Sequence, residues 1–145
     1  MKTNEIEGIK QEELIIQQPY FILFVQNQDR STEFYNEVLG IEPRLFVPGM
    51  TEFELPGGTI TGLMPEVGIR RLLDLPQMEE VGYATGIKSE CYLLVNNAEA
   101  FLQRALDRGA ELLSPVQARD WGHQAGYCRD LDGTILAFAQ PIAGD

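Results

Sequence analysis

Apolar and polar residues along the chain predict one order of elements that occurs twice. The aromatic and branched run from Tyr20 to Val25 is long enough for a buried strand and too short for a helix. Asn27 or Asp29 can cap a following helix, which Gly40 can end in the left-handed conformation. Apolar stretches at 41–47, 51–55 and 59–64 follow, separated by Pro and Gly turns. The first half is therefore predicted to be a strand, a helix and three strands.

The second half repeats this order. Residues 90–95 predict an apolar strand, and Asn97 can cap a helix that ends at Gly109. Strands are predicted at 110–114, 124–129 and 134–139, the last after a turn that ends in Gly133. We divide the chain into an N-terminal extension (1–19), a first module (20–66), a linker (67–88) and a second module (89–140). The extension can add a short helix or edge strand near Leu14, and the linker can act as a strap or as a lid.

Side chains alternate between the two faces of a strand, so the two first strands can be divided by face. One face is uniformly apolar and is expected to pack under the helices; it carries Phe21, Leu23, Val25, Cys91, Leu93 and Val95. The other face mixes aromatic rings with hydroxyls and a carboxylate, and it carries Tyr20, Ile22, Phe24, Glu90, Tyr92 and Leu94. Such a mixture suits a ligand cavity.

Composition and charge limit the classes of molecule that the protein is expected to bind. The chain has 145 residues, the size of one domain, and a net charge of -11, which repels nucleic acid and anionic membranes. No apolar run is long enough for a membrane span, and the first residues lack the apolar region of a signal peptide. Cys91 and Cys128 are too few for a disulfide framework. We expect a cytoplasmic protein with reduced thiols, no nucleic-acid partner and no membrane partner.

Three motifs carry a family resemblance. They are Arg-Ser-Thr-Glu-Phe-Tyr-Asn-Glu-Val-Leu-Gly at 30–40, Trp121-Gly122, and Arg-Asp-Leu-Asp-Gly at 129–133. Together with the repeat, they resemble the vicinal oxygen chelate superfamily of glyoxalases, extradiol dioxygenases, fosfomycin-resistance enzymes and bleomycin-resistance proteins. The likeness spans about residues 20–140. It implies an α+β fold in which two tandem βαβββ modules form curled mixed sheets around a shared cavity, and it implies a homodimer.

The resemblance also implies where a metal would bind. Metal-dependent members place ligands at positions that correspond here to Tyr20, Gly62, Glu90 and Ala137. Gly62 and Ala137 have no donor atom, so the family's metal site is predicted to be lost. His123, the only histidine, is expected in a loop as a surface or packing residue. A rescued site that used Glu90 and His123 would need a further protein ligand.

Candidate site residues have functional and structural interpretations. Glu90 can be a catalytic base, or an acid at the sheet rim. Tyr20 and Tyr92 can line a pocket or the core, and Trp121 can stack on a planar ligand or plug the rim. Gln124 stands where many non-metal members have Arg after Trp-Gly, which argues against an anionic ligand. The predicted pocket consists of Tyr20, Ile22, Phe24, Met64, Tyr92, Trp121 and Gln124.

Two function classes follow from the sequence. The first is a metal-free protein of the bleomycin-resistance type that binds a small molecule in an apolar and aromatic pocket without a cofactor. The alternative is a lyase, isomerase or dioxygenase of the glyoxalase type, such as a lactoylglutathione lyase, that needs Zn, Ni, Mn or Fe. Acid-base catalysis by Glu90 without a metal lies between them, so the sequence leaves enzymatic activity open.

Overall fold

The computed structural model describes residues 14–74 and 89–142. The first half comprises β1 (Tyr20–Val25), α1 (Gln28–Leu39), β2 (Leu45–Val47), β3 (Met50–Glu54), β4 (Ile60–Pro65) and α2 (Glu66–Leu73). The second half comprises β5 (Glu90–Leu94), α3 (Ala98–Asp107), β6 (Glu111–Ala118), β7 (His123–Arg129) and β8 (Ile135–Pro141). The repeated order of strand, helix and three strands is therefore present.

Helix ends follow the capping residues in the sequence. The Asn27 side chain accepts a hydrogen bond from the Arg30 backbone N–H at 3.0 Å. Gly40 adopts the left-handed conformation with φ 74°, and its N–H donates to the Asn36 carbonyl. This conformation ends α1. In the second half, the Asn97 side chain caps α3 in the same way through the Ala100 N–H. The alternative cap, Asp29, lies in the first turn of α1.

Several element boundaries differ from the prediction. β2 begins only at Leu45, because Pro43 has no N–H to give to a sheet. β6 extends to Ala118 through irregular register. Residues 14–19 form neither helix nor strand, and part of the predicted linker forms α2. His123 was predicted in a loop, which is wrong, since it is the first residue of β7 and pairs with Pro141.

The strands form two mixed sheets with the order β1-β4-β3-β2 and β5-β8-β7-β6. β1 pairs with β4 in parallel, as β5 does with β8, and the other pairings are antiparallel. The fold is α+β, with helices between the two sheets. Each sheet therefore has one face toward the helices and one face away from them. Among the strands of the described ranges, β1 and β5 are each the last strand at one edge of their sheet.

One apolar core joins both halves. Its buried members come from α1, α3 and the helix-facing side of both sheets, and they include Val25, Phe34, Val38, Phe53, Leu63, Leu102, Cys128, Leu136 and Phe138. Leu23, Cys91, Leu93 and Val95 pack against this core, as the strand alternation predicts. The expectation for Phe21 is wrong: its side chain is 64% exposed on the edge strand β1.

The turn between β7 and β8 binds the first turns of α1. Asp130 accepts a hydrogen bond from the Tyr35 hydroxyl at 2.6 Å, and both residues are buried. Asp132 accepts from the Gln26 backbone N–H and the Ser31 hydroxyl, at 2.9 and 3.0 Å. Two of the motifs that carry the family resemblance therefore bind each other across the halves.

A second contact joins the two helices. The Arg104 guanidinium on α3 donates through Nε and Nη2 to the Val38 carbonyl, at 3.1 and 2.6 Å. Val38 lies in the last turn of α1, which contains no basic residue of its own. Arg104 thus supplies the positive charge that favours a helix C-terminus.

In the described ranges 14–74 and 89–142, no helix is long and apolar enough to cross a membrane.

Candidate functional site

A groove of about 1060 Å³ runs along the edge strands β1 and β5. β1 contributes Phe21, Ile22 and Leu23, and β5 contributes its whole length to the lining. The remaining walls come from Leu39, Ile41, Leu55, Pro56, Thr59, Thr61, Ser89, Val95, Asn96, Phe101, His123 and Thr134. Apolar side chains dominate, and polar groups from Glu90, Tyr92 and His123 meet them at β5. This is the composition of a small-molecule site.

Trp121, Tyr92 and His123 form an aromatic cluster at one side of this groove, whose lining includes Tyr92 and His123 but not Trp121. The Trp121 Nε1–H donates to the Tyr92 hydroxyl oxygen at 2.7 Å. The same oxygen lies 2.7 Å from His123 Nδ1, and the Tyr92 and His123 rings stack with centroids 5.8 Å apart. The Trp121 side chain nevertheless remains 56% exposed. Its indole is thus held by a hydrogen bond while much of its surface stays available to a ligand.

Alanines surround the cluster on the sheet. Tyr92 on β5 pairs with Ala137 on β8, and Ala139 pairs with Ala125 on β7, two residues after His123. By strand alternation these side chains lie on the face away from the helices. All three alanines are fully buried. Small side chains leave space for the Tyr92 and His123 rings above the sheet, which explains why aromatic groups gather there.

The sequence reasoning missed the contribution of His123. It was expected at the surface or in loop packing, whereas it binds Tyr92 and lines the groove. The available signal was the alternation of His123, Ala125 and Tyr127, which would have extended the predicted strand toward Trp121.

On the first sheet, Tyr20 belongs to a charged network. Its hydroxyl accepts a hydrogen bond from Arg44 Nη2 at 2.6 Å. Arg44 also donates through Nε to Glu52 at 2.9 Å, and its Nη1 lies 3.8 Å from Glu54. Tyr20 is thus bound within its own sheet, and it is not part of the groove lining.

Side chains at the family's metal positions do not fit a metal ion. A Cβ atom on Gly62 would lie 2.5 Å from Ile22 Cδ1 and 3.2 Å from Met50 Sδ, so apolar groups occupy the space of the missing ligand. Ala137 has no donor, and the Tyr20 hydroxyl already binds Arg44. Within residues 14–74 and 89–142, no three His, Cys, Asp or Glu side chains form a group that could hold a metal.

Glu90 lies at the exposed start of β5 and lines the groove. It makes no salt bridge with any residue of the described ranges. Its charge acts on two neighbours: burial raises the pKa of Tyr127, and Glu90 raises it further. Burial, followed by Asp130 and Glu90, raises the pKa of Cys91 to about 11. The carboxylate therefore adds negative potential at the groove.

The other predicted pocket residues are divided between locations. Ile22, Tyr92 and Glu90 share the groove, and Trp121 joins them through Tyr92. Phe24 and Met64 pair with each other on the first sheet, outside the lining. Gln124 alternates with His123 on β7 and so shares the face of Cys128, which packs in the core beneath the helices. The pocket assignments of these three outlying residues remain predictions.

A comparison with known protein families identifies one family model that covers both halves of the chain. The family model described as "Glyoxalase/Bleomycin resistance protein/Dioxygenase superfamily" matches residues 17–138. None of the curated protein sequences matches the chain.

Solved structures share the fold at low sequence identity. A glyoxalase-related enzyme from Fulvimarina pelagi is 21% identical with a TM-score of 0.74, over 90% of this chain and 95% of that one. A glyoxalase/bleomycin resistance protein/dioxygenase family enzyme from Burkholderia phytofirmans PsJN is 17% identical with a TM-score of 0.74, over 85% and 97%. TioX from Micromonospora sp. ML1 is 19% identical with a TM-score of 0.60, over 87% and 99%.

Proposed function

Because the chain belongs to the Glyoxalase/Bleomycin resistance protein/Dioxygenase superfamily, we propose that it is a metal-free binding protein for a planar aromatic small molecule. The ligand lies in the groove along β5 and extends past Tyr92 to stack on Trp121, which lies beside the lining. The observation that carries the proposal is the indole itself, which is exposed although its Nε1–H is bound to Tyr92. A ring held in place loses little conformational entropy when a ligand stacks on it.

The groove supports this proposal by its chemistry. Its walls are largely aliphatic and aromatic, and the polar groups of its lining include Glu90, Tyr92 and His123. Apolar area favours entry of an apolar ligand, and a few polar groups orient it. We assign Glu90 to polar recognition, because its side chain is exposed whereas an effective general base is usually desolvated.

The metal-free form of the proposal rests on the donor positions. Ile22 and Met50 fill the space beside Gly62, where a metal-binding side chain would be needed. At the other such position, Ala137 pairs with Tyr92 beneath the aromatic cluster and has no donor atom. A divalent ion needs several donors in one place. A metal-dependent lyase, isomerase or dioxygenase activity is therefore our second candidate function.

We also propose a homodimer and a cytoplasmic location. The helices occupy one face of each sheet, and the described part of the chain leaves large apolar side chains exposed on its strands, among them Phe46, Leu94 and Leu112. A second copy would cover part of this surface. The location rests on Cys91 and Cys128, which form no disulfide.

A fluorescence titration tests the binding proposal. N-phenyl-1-naphthylamine is a neutral aromatic probe that brightens in apolar sites and can accept excitation energy from an indole. Trp121 is the only tryptophan, so all tryptophan emission comes from this indole, and the variants below locate the bound probe. We expect saturable binding with loss of Trp121 emission. Probe brightening without any change in Trp121 emission would contradict the proposal.

Variants distinguish the groove from other apolar surface. Trp121→Leu keeps an apolar side chain but removes the stacking surface, and we expect it to weaken probe binding by about 5-fold or more. Leu72→Ala is the control, because Leu72 is a highly exposed apolar residue on α2 that belongs neither to the groove lining nor to the aromatic cluster. It should leave the probe affinity unchanged. Equal affinity losses in both variants would indicate nonspecific adsorption.

A further inference from the structure

The hydrogen bonds of the aromatic cluster determine the proton position on His123. Trp Nε1 can only donate, so the Tyr92 oxygen accepts from Trp121. The remaining contact, between the Tyr92 oxygen and His123 Nδ1 at 2.7 Å, has two possible directions. Either the tyrosine donates to Nδ1, or Nδ1–H donates to the tyrosine.

One direction leaves fewer groups of the cluster without a partner. If Nδ1–H donated, the Tyr92 oxygen would accept twice, and its own O–H would need another acceptor. Within residues 14–74 and 89–142, Trp121 and His123 are the hydrogen-bond partners of that hydroxyl. If Tyr92 donates, only the N–H on Nε2 is left without a described partner, whereas the reverse direction leaves both the Tyr92 O–H and the Nε2 lone pair without one. Nδ1 is then an acceptor, and the proton of the neutral imidazole is on Nε2.

We propose that Tyr92 holds His123 as the Nε2–H tautomer, and that this N–H selects planar ligands bearing a hydrogen-bond acceptor such as a carbonyl. The inference rests on the proposed binding function. His123 lines the groove, and among the described residues none forms a hydrogen bond with its Nε2. A ligand stacked on Trp121 would place its edge near this donor. Tyr92 is in this scheme a positioning residue that acts through His123.

Local charge favours a neutral acceptor over an anionic one. Glu90 lines the same groove and would repel an anion. Arg119 is used elsewhere: its guanidinium donates to Ser114, Pro115 and Ala125 and lies over the Tyr127 ring. Among the described residues, the charge available to a ligand at β5 is therefore negative. The ligand class that fits is a neutral, planar, aromatic carbonyl compound.

The tautomer can be measured directly, because His123 is the only histidine. Its imidazole ¹⁵N spectrum at alkaline pH contains one protonated and one unprotonated nitrogen, and two-bond couplings identify which is which. An unconstrained neutral imidazole already favours Nε2–H, so the effect of Tyr92 is read from the tautomer fractions. We expect the Nε2–H form alone in the wild type and a detectable Nδ1–H fraction in Tyr92→Phe; equal fractions in the two proteins would overturn the role of Tyr92. Tyr127→Phe is the control. It removes a nearby hydroxyl that forms no hydrogen bond with Tyr92, His123 or Trp121. A dominant Nδ1–H form in the wild type would overturn the inference, whatever the binding data show.

Two matched probes test the ligand class. We would use 6-propionyl-2-(dimethylamino)naphthalene and 6-propyl-2-(dimethylamino)naphthalene, in which a CH2 group replaces the carbonyl. The wild type should bind the propionyl probe more tightly, and His123→Phe should reduce this preference by about 2- to 12-fold, the range of one net hydrogen bond. Equal affinity for both probes would overturn the ligand class while leaving the proposed function intact. Binding of neither probe would overturn the proposed function and the ligand class together.

Discussion

Removal of the Tyr35 hydroxyl tests the contact that joins the two halves. The hydroxyl donates to Asp130 Oδ2 at 2.6 Å, where Tyr35 is 2% and Asp130 7% exposed. The other carboxylate oxygen accepts from the backbone N–H groups of Asp132 and Thr134, so Oδ2 depends on Tyr35 alone among the described residues. Tyr35→Phe keeps the ring and its packing. It therefore isolates one buried hydrogen bond to a carboxylate.

The expected loss follows from the charge and burial of this bond. Hydrogen bonds to charged groups contribute about 1.5 to 3 kcal/mol, and an unpaired buried oxygen adds to the cost of their removal. We expect Tyr35→Phe to lower the free energy of unfolding by about 2 to 3 kcal/mol. For a chain of this size that corresponds to a decrease in Tm of about 4 to 12 °C. Urea unfolding followed by circular dichroism gives the free energy, and calorimetry gives Tm.

Acidification should reduce this penalty. Burial raises the pKa of Asp130 above 3.8 although Tyr35 and two backbone N–H groups lower it. Loss of the hydroxyl raises this pKa further. The folded state then holds the Asp130 proton more strongly than the unfolded state does. The contribution of Asp130 to stability therefore falls as pH rises from the unfolded-state pKa through the higher folded-state pKa. The Tyr35→Phe penalty should accordingly be larger at neutral pH than at about pH 4.

Tyr127→Phe provides the matched control, because no described residue hydrogen-bonds its hydroxyl on β7. It should change stability by less than about 0.5 kcal/mol. The reasoning would be refuted if Tyr35→Phe cost no more than Tyr127→Phe, or if its cost were independent of pH. The first result would show that the buried hydrogen bond contributes little to stability. The second would show that the charge on Asp130 does not determine the size of the loss.

Three further predictions concern packing, helix ends and thiols. Gly62→Val should destabilise the protein by about 1 to 3 kcal/mol through overlap with Ile22, and Ile22→Ala should recover part of this loss; unchanged Tm in the single variant would contradict the packing. Arg104→Gln should cost about 1 to 2 kcal/mol in urea unfolding through loss of the charge at the C-terminus of α1, whereas no loss would show that the bond contributes little. Burial raises the pKa of Cys91 to about 11 and of Cys128 to about 12, so iodoacetamide at about pH 8 should label both only after denaturation, which mass spectrometry would count. Rapid labelling of Cys128 in the folded protein would contradict its burial, and rapid labelling of the half-buried Cys91 would contradict its raised pKa.

Local signals explain how much of the fold could be predicted. Asn27, Gly40 and Asn97 act through hydrogen bonds within a few residues, so the sequence places the ends of α1 and the start of α3 correctly. The repeat of strand, helix and strands similarly follows from apolar periodicity. Phe21 was misassigned because alternation gives the face of a side chain but not whether a helix covers that end of the strand.

The candidate site was predictable only in part. Tyr92 and Trp121 were selected for their residue types, and they do lie together. Their link to His123 depends on ring contacts across three strands, over alanines that bring the rings close to the sheet. Gln124 was chosen by its spacing from Trp121, whereas its face depends on the exact start of β7. A shift of one residue in a strand reverses the face, which limits such assignments.

The central claim is that a planar ligand stacks on Trp121 at the groove along β5. The most direct measurement is the ¹H–¹⁵N signal of the indole Nε1–H, which is a single peak because the chain has one tryptophan. We predict that titration with N-phenyl-1-naphthylamine moves this peak to saturation, with the same midpoint as probe fluorescence. A peak that stays in place while the probe binds would show that the ligand binds elsewhere and would contradict the claim.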